Sequence, residues 1–234
     1  MKLKNTLLIA LTVFSFAFAK AQEAGDCNIM LSIFAENAKS KNYNEAFKQL
    51  GPLVENCPNA SPYQYGEQIY EHRLRKNIGA EKDNVDGLIK MLKTQVSNYP
   101  DKVDVTRKKI EIARTMQKYN VGTSEEQFQM LHDLFTNDKG NFTDPSGMIV
   151  YFKLAEMQFE ESKLSLQTLF KIYDELTTQI ESLQDERSKV VADLLSKQET
   201  IALTEKEQKT IGYQEANLKN YGIVMGSVNG TLGE

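Results

Sequence analysis

Residues 41–58 read Lys-Asn-Tyr-Asn-Glu-Ala-Phe-Lys-Gln-Leu-Gly-Pro-Leu-Val-Glu-Asn-Cys-Pro. Ala46, Leu50 and Leu53 fall at the three- and four-residue steps that gather apolar side chains on one face of a helix. Upstream, Met30, Phe34 and Ala38 repeat at the same step, and only Lys41-Asn42 separates the two series. Helices joined by so short a turn must run antiparallel. Tyr43 precedes Ala46 by three residues, and Pro58 follows Ala46 by twelve. The small alanine lets the two helices approach, and Pro58 stops the second helix before another begins. Leu50-Gly51-Pro52 lies inside that helix and predicts a kink.

Downstream the same pattern recurs. Ser61 is positioned to cap a helix with Pro62 at its first position, on a face of Tyr63, Gly66, Tyr70 and Leu74. A polar loop over Lys76–Asn84 leads to the stripe Val85, Leu88, Leu92 and Val96, which ends near Pro100. A third pair carries Val105, Ile112, Ala113 and Met116, then Phe128, Leu131 and Phe135 after Ser124 as N-cap. Beyond a polar loop over Thr136–Thr143, Asp144-Pro145 opens a seventh helix with Met148, Phe152, Ala155 and Phe159 on its face. Strand-like alternation is almost absent, so the chain reads as all-α.

From Leu166 the apolar step becomes an alternating 3,4 series: Leu169, Tyr173, Leu176, Ile180, Leu183, Arg187, Val190, Leu194. Four heptads with one polar interruption describe a helix held against a partner along its length. At 1.5 Å per residue that helix spans roughly 42 Å. Thr204 and Glu207 form a capping box, and a second series follows at Ile211, Gln214, Leu218, Tyr221, Met225, Val228 and Leu232. The two series predict a long antiparallel helical hairpin over 163–234; the competing reading is two ordinary long core helices. No terminal cap is evident at Leu232-Gly233-Glu234, so this end reads as truncated or as docking against something.

The spacing of Tyr43, Ala46 and Pro58 resembles the tetratricopeptide-repeat motif, with Gly66 and Pro100 as the packing positions of a second repeat. Pro58 and Pro100 are 42 residues apart, against about 34 in the consensus, which predicts an insertion around Gly79. Leu31-Ser-Ile-Phe-Ala, Cys57-Pro58, Tyr63-Gln-Tyr65-Gly66-Glu-Gln-Ile-Tyr70, Gly79-Ala-Glu-Lys and Asn141-Phe-Thr-Asp-Pro145 resemble exported tetratricopeptide-repeat proteins of the Bacteroidota. The resemblance covers the whole mature chain. It implies a degenerate α-solenoid over 22–162, in pairs at about 28–57, 62–99 and 103–136 with a further helix at about 145–161. The hairpin would then continue into repeats absent from this chain.

Lys2 and Lys4, an apolar run from Leu7 to Phe18 and Ala19-Lys20-Ala21 form a signal peptide with cleavage after Ala21. The twelve residues from Leu7 to Phe18 fall well short of the ~20 that span a bilayer. Cys27, preceded by Ala24-Gly25-Asp26, does not fit a lipid-attachment motif. The expectation is an exported protein without stable membrane insertion, periplasmic first and extracellular as the alternative. Losing Lys2, Lys4 and Lys20 leaves 25 basic against 32 acidic residues, a formal charge of −7. A net acidic chain without a basic run is a poor nucleic-acid ligand.

Cys27 precedes the first helix and Cys57 ends the second, so antiparallel pairing brings them within reach of a disulfide in an oxidising compartment. Two cysteines without a neighbouring histidine cannot complete a zinc shell. His72 and His132 sit on different helices, outside any ligand spacing, and read as solvated. No nucleophile elbow, zinc-binding motif or phosphate-cradling loop is present. Tyr63, Tyr65 and Tyr70 crowd one helix and mark a candidate interaction surface. The expectation is therefore a scaffold that binds a protein or peptide, with no catalytic, cofactor or metal site. The alternative is a structural or chaperone-like coiled-coil module.

Overall fold

The structure, a computed structural model, describes residues 27–231; the segment 1–21 read as a signal peptide and the last heptad position, Leu232, lie outside them. All regular structure among the described residues is helical. The helices are α1 (27–39), α2 (Tyr43–Asn56), α3 (Ser61–Arg75), α4 (Glu81–Asn98), α5 (Val105–Lys118), α6 (Ser124–Asn137), α7 (Pro145–Glu160), α8 (Leu166–Gln198) and α9 (Glu205–Thr231). Short 3₁₀ turns occupy Pro100–Lys102 and Lys139–Asn141.

The ends of α1, α3, α5 and α7 repeat one local device. Lys41, Asn77, Asn120 and Ser162 each take a positive φ, between 53° and 60°. At each, the next residue donates its amide back five positions: Asn42 to Asn37, Ile78 to Arg73, Val121 to Met116 and Lys163 to Gln158. This is the Schellman closure, which satisfies carbonyls left over at a helix end and turns the chain sharply back. The even-numbered α2, α4 and α6 end instead on extended or irregular backbone at Cys57, Tyr99 and Asp138. The alternation marks out helix pairs at the level of the backbone.

The N-caps differ from expectation by a residue or two. Ser61 is the first helical residue, and its amide donates to the Asn59 side chain at 2.8 Å. Thr123 takes the cap role read for Ser124, accepting from the Glu126 amide. Asp144 caps α7 as expected, accepting from the Gly147 amide at 2.9 Å.

Two compact units divide at Asp104/Val105. In the first, Phe34, Ala38, Ala46, Leu50, Leu53, Ile69 and Met91 form one apolar cluster. Pro52 sits within a continuous α2, where its carbonyl accepts from the Asn56 side chain. A Cβ on Gly66 would lie 2.9 Å from Met91 Sδ and 3.2 Å from Leu50 Cδ1, so this glycine lets α3 close on its neighbours. Only part of the extra length expected in a loop around Gly79 lies in that loop; α4 has 18 residues against 14 in α2. α4 begins at Glu81, inside the stretch read as loop, and buries Asn84 in its first turn.

The second unit is built around α7, which packs against α5, α6, α8 and α9. The single face read for this helix is a misreading. Gly147, Met148, Val150, Tyr151, Phe152, Leu154, Ala155 and Gln158 are all buried, as befits a helix surrounded by partners, while Phe159 is 38% exposed. Tyr151 is the aromatic hub, with the rings of Phe128, Phe135 and Phe142 within 6 Å. Phe142, in the segment read as a polar loop, is fully buried.

α8 has 33 residues, α9 has 27, and they pack together as the expected hairpin. The capping box is present: the Thr204 amide donates to Glu207 at 2.9 Å and the Glu207 amide to Thr204 Oγ1 at 3.3 Å. Every position of the first 3,4 series is at least half-buried, as are the positions of the second through Val228. On α8 the fully buried positions stop at Leu183, and on α9 they start at Tyr221. Between them only Leu203, in the tip loop, is buried. The base of the hairpin thus rests on α7, and the distal half consists of two helices holding only each other.

Candidate protein-interaction surface

The distal hairpin leaves apolar side chains open to solvent, as do α1 at Ile29 and Ile33 and the hairpin base at Leu166, Phe170 and Ile223. Leu195 is 45% exposed, Ile201 62% and Tyr213 64%. Beyond Leu183 on α8 and before Tyr221 on α9 neither helix has a fully buried residue, so these side chains lie where the hairpin has no third layer. The seam beneath them is ordered by polar contacts. Arg187, the polar interruption in the α8 series, donates to Gln214 Oε1 at 2.9 Å and approaches the Tyr221 hydroxyl at 3.4 Å. Tyr221 donates in turn to the Thr143 carbonyl at 2.6 Å, tying α9 to the start of α7. At the tip, Lys197 meets Glu207 at 2.5 Å. That cation, with the Thr204 amide and hydroxyl, holds the Glu207 carboxyl down to about 2.

The tyrosines of α3 are spent on internal packing. Tyr63 is buried against Tyr99, Tyr65 meets Phe34 edge-on, and Tyr70 meets Phe47 edge-on at 5.6 Å. Burial raises the hydroxyls of Tyr63 and Tyr70 above the ordinary tyrosine value. Tyr63 is therefore closed to a partner, while Tyr65 and Tyr70 are half-buried. Of the remaining packing positions, Ala46 is fully buried as the close helix approach requires, and Tyr43 is half-buried with its ring 4.6 Å from His72. Pro58 and Pro100 are exposed, immediately beyond the residues that terminate α2 and α4.

Cys27 and Cys57 are bonded, with 5.6 Å between their Cα atoms, as the antiparallel pair predicts. Both histidines depart from the solvated reading. His72 packs on Tyr43; His132 stacks on Phe128 and places Nδ1 2.7 Å from the Tyr151 hydroxyl. Each is half-buried and absorbed into an aromatic contact.

A second polar constellation escaped sequence reading. On the α2–α3 face, the Arg73 guanidinium lies 3.7 Å above the Phe47 ring and donates from Nε to Asn84 Oδ1 at 2.8 Å. Asn84, 3% exposed, donates to the Ile78 and Ala80 carbonyls and so fixes the turn between α3 and α4. Gly79 is doubly required in that turn: its φ is +76°, and a Cβ there would come within 2.9 Å of Arg73 Nη2. The one sequence signal was Asn84 at a core-facing helical step just ahead of Val85.

No helix among the described residues is long and apolar enough to cross a membrane. No protein-family model matches the chain, and it matches no curated protein and no solved structure.

Proposed function

We propose that this protein is a non-catalytic interaction scaffold of the cell envelope, built on tetratricopeptide-like helix pairs and exported to the periplasm. The observation that carries the reading is the distal hairpin, a two-helix arm with Leu195, Ile201 and Tyr213 open to contact. Such a surface binds by shape and a few aromatic or aliphatic anchors, without a reactive group. The recurring Schellman closure after α1, α3, α5 and α7 supports the helix-pair repeat. The bonded cysteines support an oxidising compartment.

Crosslinking with mass spectrometry in the native envelope tests it. Discrete partners should crosslink to residues 187–218, and the double substitution Leu195→Glu, Tyr213→Ser should abolish those crosslinks without changing the helical signal. Crosslinks distributed evenly over the chain would refute the assignment. The long paired helices also favour a second reading, a coiled-coil module that acts by self-association or client holding. Light scattering separates the two: a dimer that the same double substitution converts to monomer supports the module, and a strict monomer opposes self-association.

A further inference from the structure

Arg73 is a charged group that the fold holds firmly and that has no counter-ion among the described residues. Its side chain is half-buried, and Nε takes a neutral acceptor, the Asn84 amide oxygen. Among the described residues neither Nη makes a hydrogen bond or an ion pair. The position tolerates the charge because Arg73 lies in the last turn of α3, whose carbonyl end is electronegative. Arg75 and Lys76, both exposed, add to the local positive field.

Three contacts hold the guanidinium in place. Phe47 covers one face, Asn84 fixes the Nε edge, and the lack of a side chain at Gly79 leaves room beside Nη2, where a Cβ would come within 2.9 Å. Phe47 is itself buttressed by Tyr70, and Asn84 is locked by two backbone carbonyls. A planar fork pre-oriented in this way matches a carboxylate, which accepts two parallel N–H bonds. The Nη donors are not among the buried, unpartnered polar atoms, so they are reachable from solvent by a ligand.

We propose that Arg73, stacked on Phe47 and oriented by Asn84, is a carboxylate-binding subsite for an acidic peptide segment of the protein partner. It rests on the scaffold reading above and adds the chemistry of one contact. The carboxylate is either a peptide C-terminus or a Glu or Asp side chain.

The test observes the arginine Nε–Hε signals of the mature protein by ¹H–¹⁵N spectroscopy, with Arg73 assigned by its loss in Arg73→Lys. Sodium acetate is titrated against sodium chloride at matched ionic strength, alongside sodium phosphate. Two peptides, acetyl-Gly-Ser-Glu-amide and acetyl-Gly-Ser-Gly with a free C-terminus, distinguish the two carboxylate sources. A saturable Arg73 shift with acetate and with one of the peptides is expected. Arg73→Lys keeps the charge and loses the fork, and should weaken the better peptide about tenfold as read on neighbouring amides. Phe47→Leu, which keeps apolar volume, should weaken it in the same direction. The subsite is overturned if acetate moves Arg73 no more than Arg75, or if phosphate binds more tightly than both peptides. Envelope crosslinks retained in Arg73→Lys, together with absent shifts, would remove the subsite and leave the scaffold. Saturable shifts without any specific crosslink would remove the scaffold and leave the subsite.

Discussion

Breaking the Cys27–Cys57 bond is the perturbation whose size is best defined. The bond closes a loop of 30 residues in sequence. The chain-entropy relation then gives about 3.6 kcal/mol from restricting the unfolded chain. α1 depends on that contribution, since it fills the core chiefly through Phe34 and Ala38, with Ile29 and Ile33 more than half exposed. A helix this short does not hold itself in water. Urea unfolding should be followed by α1–α4 amide signals, because two units need not unfold together. With a urea slope of about 1 to 1.5 kcal/mol per molar for a unit of this size, reduction should lower its midpoint by roughly 2.4 to 3.6 M. The double variant Cys27→Ala, Cys57→Ala should reproduce the shift, and the α5–α9 signals should keep their midpoint. A midpoint unmoved by reduction, in protein shown by mass to be reduced, would refute the reasoning.

The remaining predictions concern one glycine and one carboxylate. Gly87→Ala would gain about 1 kcal/mol if helix propensity decided the outcome. Its Cβ would instead fall 2.3 Å from the Tyr70 ring, so we expect a net loss of about 1 to 3 kcal/mol in urea unfolding. A stabilised variant would show that Tyr70 moves freely. Glu207 has a folded value of about 2, well below the ordinary carboxylate range. Its contribution is therefore fully present above the unfolded value and is lost as pH falls through about 2. Carboxyl NMR should place its midpoint near 2 and move it upward in Lys197→Ala, and an ordinary midpoint in the parent protein would contradict the tip geometry.

Legibility followed the kind of interaction involved. The Cys27–Cys57 bond, the 3,4 seam of the hairpin, the Asp144 cap and the Thr204–Glu207 box were readable because each depends on a few residues at fixed spacing. α7 was misread because a periodicity search returns one best face, and this helix is surrounded by four others. Phe142 was lost in a stretch whose polar neighbours dominate composition, although its ring fills the space beside Phe135 and Tyr151. The α3 tyrosines look like surface anchors in a list of residues, yet their partners Phe34, Phe47 and Tyr99 lie on other segments. Arg73 and Asn84 could not be joined from sequence, since their contact depends on the left-handed turn at Asn77 and Gly79.

The central place of α7 sets how the second unit can lose its structure. In a linear array each helix pair leans only on its neighbours, so an end can fray while the rest survives, and whole pairs can be removed or duplicated. Four helices here lean on one. Cooperativity should be close to all-or-none: a defect at Tyr151 or Ala155 would be felt from α5 to the base of the hairpin, and removing any one pair would leave no smaller folded remainder. The distal arm, which buries little, lies outside that dependence, so a defect there should leave the α7-centred core folded.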